Sequence, residues 1–265
     1  MNKFKLLLFL TFVLNVSFIS IAESSKKKVI TRSNKITEVV TNERGDYYPI
    51  SISTLINMAW KYGVYKKDDY KALSDLIHAV DCEIYIQYIH DDFAWNRIVE
   101  SKKREIGYYG SNVPDRFVLS DVIQLSKYDF NEKLFYLRSN YTMNNAGIFT
   151  LYDSVTFKLP PCPVKRPKSI KSFVEGYRIK LLNPLSLNAF PITPEDAEKL
   201  IRNFQETGNF NREMYSRIFV RVNGLDSTKL GFGSRSHITY QGQVERVEIY
   251  SDIETTNLVY EKNFR

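Results

Sequence analysis

Near residue 110 the spacing of apolar residues changes, and that change limits the chain to folds that mix helices with strands. Before it, Leu73, Leu76, Ile77 and Val80 follow the i, i+3, i+4, i+7 rule that lines one face of a helix. After it, Phe117, Leu119, Ile123 and Leu125 alternate with polar partners, as a half-buried strand requires. Gly107, Gly110 and Pro114 punctuate the crossing. The expected class is α+β, with a helical N-terminal part from about Tyr47 to Ile106 packed against a mainly antiparallel β-rich part. Residues 47–110 and 111–265 form either one domain or two, with a boundary near Gly107–Pro114.

Ahead of that folded region stands a leader. Lys3 and Lys5 precede an almost unbroken apolar run from Leu6 to Val16, and Ser20-Ile21-Ala22 offers small residues for a peptidase. That order reads as a secretory signal peptide over residues 1–22, cleaved between Ala22 and Glu23. The alternative is an uncleaved membrane anchor, although the run is short for a bilayer core that needs about 20 residues. Residues 23–46 are polar and without apolar periodicity, and read as a flexible basic arm. Lys26, Lys27 and Lys28 lie in it and read as part of a solvated tail, with a weak, salt-sensitive attraction to anionic lipid as the alternative. The net charge of +7 includes Lys3 and Lys5 of the leader, a mild excess that does not specify a nucleic-acid partner. High Lys, Asn, Ile and Tyr usage fits a bacterial source, so the expected location is periplasmic or secreted.

Within the folded part, Ser53 precedes a short apolar helix through Leu55, Ile56, Ala59 and Trp60 that ends near Gly63. Asp68 and Asp69 suit the start of the next. Ile84 to Ile89 has strand-like composition, yet Ile84, Tyr88, Trp95, Ile98 and Val99 share a helical stripe; helix is favoured from Asp91 onward and more weakly before it. Strands are expected at 134–137, 148–151, 155–159, 177–182, 218–222, 237–240, 244–250 and 257–260, with turns at 129–132, Asn183-Pro184 and Asn223-Gly224. Pro160, Pro161, Pro163 and Pro167 mark an exposed connection or sheet edge, because proline cannot donate to a ladder. Thr193-Pro194-Glu195-Asp196 is the clearest helix start: a side-chain cap, a proline where no N–H is needed, and two acids facing the helix dipole. Ala197, Leu200, Ile201 and Phe204 supply the buried face of this helix at 194–207, and Gly208 its stop.

The chemistry of catalysis leaves little trace. Of three histidines, His78, His90 and His237, none belongs to a metal-binding motif, so no metal or cofactor is expected. His90-Asp91-Asp92 groups potential ligands but reads as a helix start. Gly231-Phe232-Gly233-Ser234 lacks the pattern of a nucleophile elbow and fits a hairpin better. Paired carboxylates from distant strands, as in glycoside hydrolysis, stay open because sequence cannot show their separation. Cys82 and Cys162 are the only cysteines, and an even pair in an exported chain is expected to be oxidised.

The opening Asp91-Asp92-Phe93 of a charged helix, the strand residues Tyr128-Asp129-Phe130 and the Pro194-Glu195-Asp196-Ala197-Glu198 helix resemble a pattern in uncharacterised bacterial envelope proteins. The resemblance covers most of the chain after the leader and implies a domain of unknown function, with no catalytic or binding residues to carry over. The export leader and the missing catalytic motifs give the reading of an exported, non-enzymatic protein that binds a partner, a protein or an envelope polymer, or supports the envelope. Its alternatives are a periplasmic glycan or peptidoglycan hydrolase and a secreted host-interaction factor.

Overall fold

The structure is a computed structural model and describes residues 39–138, 143, 146–153, 162–165, 176–229 and 237–264. The expected signal peptide, residues 23–38 of the arm, the strand at 155–159 and the Gly231–Ser234 stretch lie outside these residues. The end of the arm differs from expectation. Strands β1 (Val40–Asn42) and β2 (Gly45–Pro49) form an antiparallel hairpin, so regular structure begins before Tyr47. The polar sequence hides its anchors because they lie far along the chain: Tyr47 is fully buried, and Arg44 Nη1 donates to the Glu245 carbonyl at 3.0 Å.

Helix α1 (Ile52–Lys61) starts two residues earlier than its sequence suggests, because Ser51 caps it by accepting from Thr54 N–H at 3.1 Å. Helix α2 (Tyr70–Val80) is capped by Asp69, whose Oδ1 accepts from Ala72 N–H at 3.0 Å. The ambiguous stretch is helical: α3 (Cys82–Tyr88) leads into α4 (Asp92–Ser111). Its β-branched residues yield to packing, since Tyr85 stacks on buried His78 with ring centroids 3.5 Å apart and meets Trp95 edge-on at 5.5 Å.

The remaining elements are β3 (Arg116–Asp129), β4 (Leu134–Leu137), β5 (Ala146–Asp153), β6 (Gly176–Leu185), β7 (Ala189–Pro191), α5 (Pro194–Glu206), β8 (Glu213–Lys229), β9 (His237–Tyr250) and β10 (Leu258–Asn263). Among the described residues the strands form one mixed sheet in the order β1-β2-β3-β8-β9-β6-β5, with β10 also on β9 and β4 bridging β3 to β7. Two pairings, β2 with β3 and β6 with β9, are parallel, and the rest are antiparallel. Both parallel pairs are separated in sequence by helices, as such connections require. Helix α5 starts as its sequence indicates, with Thr193 Oγ1 accepting from Asp196 N–H at 3.2 Å and Gly208 in the left-handed region at φ 68°.

Leu55, Trp60, Leu73 and Trp95 of the helices belong to one hydrophobic core with Phe117, Ile218, Tyr240 and Val247 of the sheet. Tyr240 donates its hydroxyl to the Leu55 carbonyl at 2.9 Å, tying α1 to β9. On the opposite face Tyr47, Val118 and Phe219 form a small second cluster, with the rings of Tyr47 and Phe219 in edge contact at 4.9 Å.

Two expected turns are absent. Asn223-Gly224 lies inside β8, at a register shift against β9. Asn183-Pro184 lies inside β6, where the Asn183 side chain takes over hydrogen bonding that Pro184 cannot supply. The segments 237–240 and 244–250 are one strand, β9, with a bulge at Glu245. Bulges let a strand continue through residues that break simple alternation.

Candidate functional site

Cys82 opens α3, and its sulfur lies at disulfide distance from that of Cys162, 80 positions further along the chain, with Cα atoms 5.7 Å apart. The structure therefore brings together the one pair of residues that the sequence singles out. His90, Asp91 and Asp92 do not converge on anything: all three are exposed, and Asp91 Oδ1 accepts from Ala94 N–H at 2.9 Å as the cap of α4. Among the described residues, no three His, Cys, Asp or Glu side chains are placed to hold a metal ion. Ala22, Glu23 and Lys26 to Lys28 lie outside the described residues.

Sequence reading missed two buried carboxylates on β9, Glu245 (6% exposed) and Glu248 (4% exposed). Phe219 pairs with Arg246 and Val220 with Val244, so Glu245 is the extra residue of the bulge and turns toward β2. It receives the Tyr47 hydroxyl and, at 3.2 Å, Arg116 Nε. Glu248 receives the Tyr250 hydroxyl and pairs with Arg246, which also reaches Glu261 of β10 at 3.4 Å. The guanidiniums stack on the aromatics, Arg217 over Tyr250 at 5.3 Å and Arg246 over Phe219 at 5.5 Å. Burial, then the hydrogen bond and charge of Glu245, push the Tyr47 hydroxyl up to about 12. Burial and Glu248 raise Tyr250 as well. Each carboxylate thus has a phenol and a guanidinium, and the network locks β2, β3 and β10 to β9. The mix of Glu and Arg within Val244–Tyr250 was the available signal, but a strand pattern alone does not show the bulge that buries Glu245.

A second arrangement lies where β3 ends, β8 begins and β9 ends. Register places the start of β8 beside Gln124, five residues before β3 ends, and beside the end of β9: Gln124 pairs with Glu213, and Tyr215 with Tyr250, while the last residues of β3 pair with β4. Leu125 N–H donates to the Arg212 carbonyl at 3.1 Å, and Arg212 Nη1 donates to the Ser126 carbonyl at 2.8 Å. Three loops emerge here, residues 129–133, 207–212 and 251–257, and one Asx side chain pins each. Asp129 Oδ1 accepts from Asn131 N–H at 2.9 Å and Glu132 N–H at 3.0 Å. Asn209 accepts from Glu213 N–H at 2.9 Å and donates to its carbonyl at 2.7 Å. Asp252 accepts from the N–H groups of Thr256 at 2.9 Å and Asn257 at 2.7 Å. The positive-φ non-glycine residues among the described residues, Lys133 (55°), Arg212 (54°) and Thr255 (55°), fall one in each loop. Such backbone conformations cost energy and persist only where the surroundings enforce them. At the tips stand Phe130, 77% exposed and edge-on to Tyr128 at 5.0 Å, and Phe210, 81% exposed. The sequence shows both as lone aromatics among turn residues, Asp129-Phe130-Asn131 and Asn209-Phe210-Asn211.

The fold and these two arrangements define an α+β protein built on one mixed sheet, with a polar network on one side and Asx-bonded turns at 129–133, 207–212 and 251–257. The chain belongs to the family described as a domain of unknown function (DUF4852), whose model matches residues 69–203, about half of the chain. The match runs from the cap of α2 into α5 and takes in both cysteines and Phe130, while β8 to β10 lie beyond it. No curated protein and no solved structure matches the chain.

Proposed function

We propose that the chain is exported and acts in the bacterial periplasm or outside the cell as a binding protein, held together by a Cys82–Cys162 bridge. The observation that carries this reading is the cysteine pair at disulfide distance, Cα atoms 5.7 Å apart, in a chain with an export-type leader. Disulfides persist in oxidising compartments and are rare in the cytosol. A binding role is supported over hydrolysis by the state of Glu245 and Glu248, each engaged by a tyrosine and an arginine rather than facing a substrate. The partner is a protein or an envelope polymer, and no cofactor is part of the proposal.

Mass spectrometry of the protein from fractionated cells tests this directly. The expected result is an N-terminus at Glu23, with Cys82 and Cys162 both refractory to alkylation until reduced. An intact Met1 in the cytosolic fraction, or two free thiols in the exported protein, overturns it.

A further inference from the structure

We infer that the solvent face of α4 docks an acidic helix of a partner protein, with Arg97 and Arg104 meeting carboxylates and Phe93 and Tyr108 gripping the two ends. This rests on the binding role proposed above and narrows its partner to a protein. Helix geometry alone puts these side chains on one surface. At about 3.6 residues per turn, Phe93, Arg97, Ser101, Arg104 and Tyr108 fall within an arc of about 80°. All five are exposed, Phe93 by 82% and Tyr108 by 67%. Trp95, Val99 and Ile106 lie on the opposite side of the helix and enter the hydrophobic core, so the packing of α4 turns the stripe outward.

The charges select the partner. Lys102 pairs with Glu105 at 3.0 Å and with Asp81 at 3.7 Å, and Lys103 pairs with Glu100 at 3.9 Å. Arg97 and Arg104, by contrast, form no ion pair or side-chain hydrogen bond among the described residues. Their guanidiniums stand about 10 Å apart along the axis, and each is built to receive a carboxylate. A partner helix with acids seven positions apart repeats that spacing, and laid alongside α4 it covers a stripe one residue wide. Aromatic residues and arginine are also the side chains that dominate the energy of protein interfaces. A second copy of this chain does not fit. Two-fold pairing of α4 sets Arg97 against Arg104 when antiparallel, and each arginine against its own copy when parallel. Nucleic acid and anionic lipid fit no better, because Asp91 and Asp92 precede Phe93 and Glu100 and Glu105 flank the stripe.

The probe is a labelled helical peptide of Ala and Gln with Leu at both ends and two Glu seven positions apart between them, titrated with the purified protein by fluorescence anisotropy. Wild type should bind it, and should bind the same peptide with Gln in place of Glu about tenfold more weakly. The Arg97→Glu/Arg104→Glu double variant should lose the acidic peptide and gain binding to a version with Lys in place of Glu. Phe93→Ala and Tyr108→Ala should each weaken binding about fivefold. Arg202→Glu, on the exposed side of α5, should bind as wild type. Melting temperatures should stay close to wild type, since the altered side chains are in solvent. No binding of the acidic peptide, equal binding of its Gln version, no gain of the Lys version by the double variant, or an equal loss in Arg202→Glu overturns the proposal. So does a dimer of the chain that the double variant abolishes, or arginine-dependent binding to duplex DNA or phosphatidylglycerol vesicles but not to the peptide. Export and the Cys82–Cys162 bridge are read separately by mass spectrometry, so a failure there leaves the peptide result standing, and a failed titration leaves export standing.

Discussion

The side chain of Asn183 bonds both ways to the backbone of Val244, accepting its N–H at 3.2 Å and donating to its carbonyl at 3.4 Å. It sits where β6 leaves the edge of β9, since the last β6 pairing is Leu181 with Gly242. Beyond it β10 takes over, with Phe264 N–H donating to the Glu245 carbonyl at 2.9 Å and Asn263 paired with Arg246. One amide thus stands in for the strand residue missing between two neighbours on the same edge. Asn183→Ala should lower stability by about 1–3 kcal/mol, the cost of leaving a part-buried peptide group unpaired. Urea unfolding should show the midpoint fall at unchanged slope. An unchanged midpoint would mean that water replaces the amide without loss.

Gly242 faces a tighter constraint. A Cβ there would lie 2.8 Å from the Arg221 carbonyl oxygen and 2.8 Å from Ile179 Cγ2, so both the backbone of β8 and the side chain of β6 oppose it. Gly242→Ala should destabilise by about 1–3 kcal/mol through overpacking, although alanine has the lower conformational entropy to lose. Thermal melting should separate it from Gly107→Ala, whose Cβ meets nothing within 4 Å.

Joining Cys82 to Cys162 closes an 80-residue span between α3 and the proline-rich connection. In the chain-entropy model a loop of that size stabilises by about 4.5 kcal/mol. Reduction, or the Cys82→Ser/Cys162→Ser double variant, should lower the urea midpoint by a comparable amount. The effect should vanish when wild type is measured in reductant.

Asp252 gives a pH signature. Burial works against its charge, but hydrogen bonds from Thr256 and Asn257 prevail and lower its pKa below 3.8. A depressed carboxylate contributes stability that is fully present above the unfolded value and is lost as pH falls through the folded one. Loop 251–257 should therefore loosen only in acid below that ordinary value. Amide exchange at Thr256 and Asn257 should accelerate there in wild type, and Asp252→Asn should flatten the dependence.

Much of the secondary structure is local and was legible. Thr193-Pro194 starts α5, Asp69 starts α2, Asp91 starts α4, and the change of period near residue 110 marks the passage from helices to sheet, although α4 runs on past Ile106 through Gly107 and Gly110 to Ser111. Capping residues work through bonds to their own neighbours, so sequence contains both partners. The cysteine pair was readable as a pair, but only the fold brings Cys82 and Cys162 within 5.7 Å between Cα atoms.

Other features were decided by partners remote in sequence. Asn183-Pro184 and Asn223-Gly224 look like turns, yet neighbouring strands carry the chain straight through both. Glu245 and Glu248 look like solvent-facing charges until the bulge turns Glu245 toward Tyr47 of β2 and Arg116 of β3, with Arg246 and Tyr250 close by Glu248 on β9 itself. Turn 129–133 meets the residues before α5, with Ile192 N–H donating to the Lys133 carbonyl at 3.1 Å, and turn 207–212 follows the end of that helix, placements that only the fold decides. Caps, turns and periodicity are written in short stretches because their hydrogen bonds close within a few residues. Burial of charge and convergence of loops depend on strand pairing across the whole chain, and that pairing is settled only when distant segments share one core.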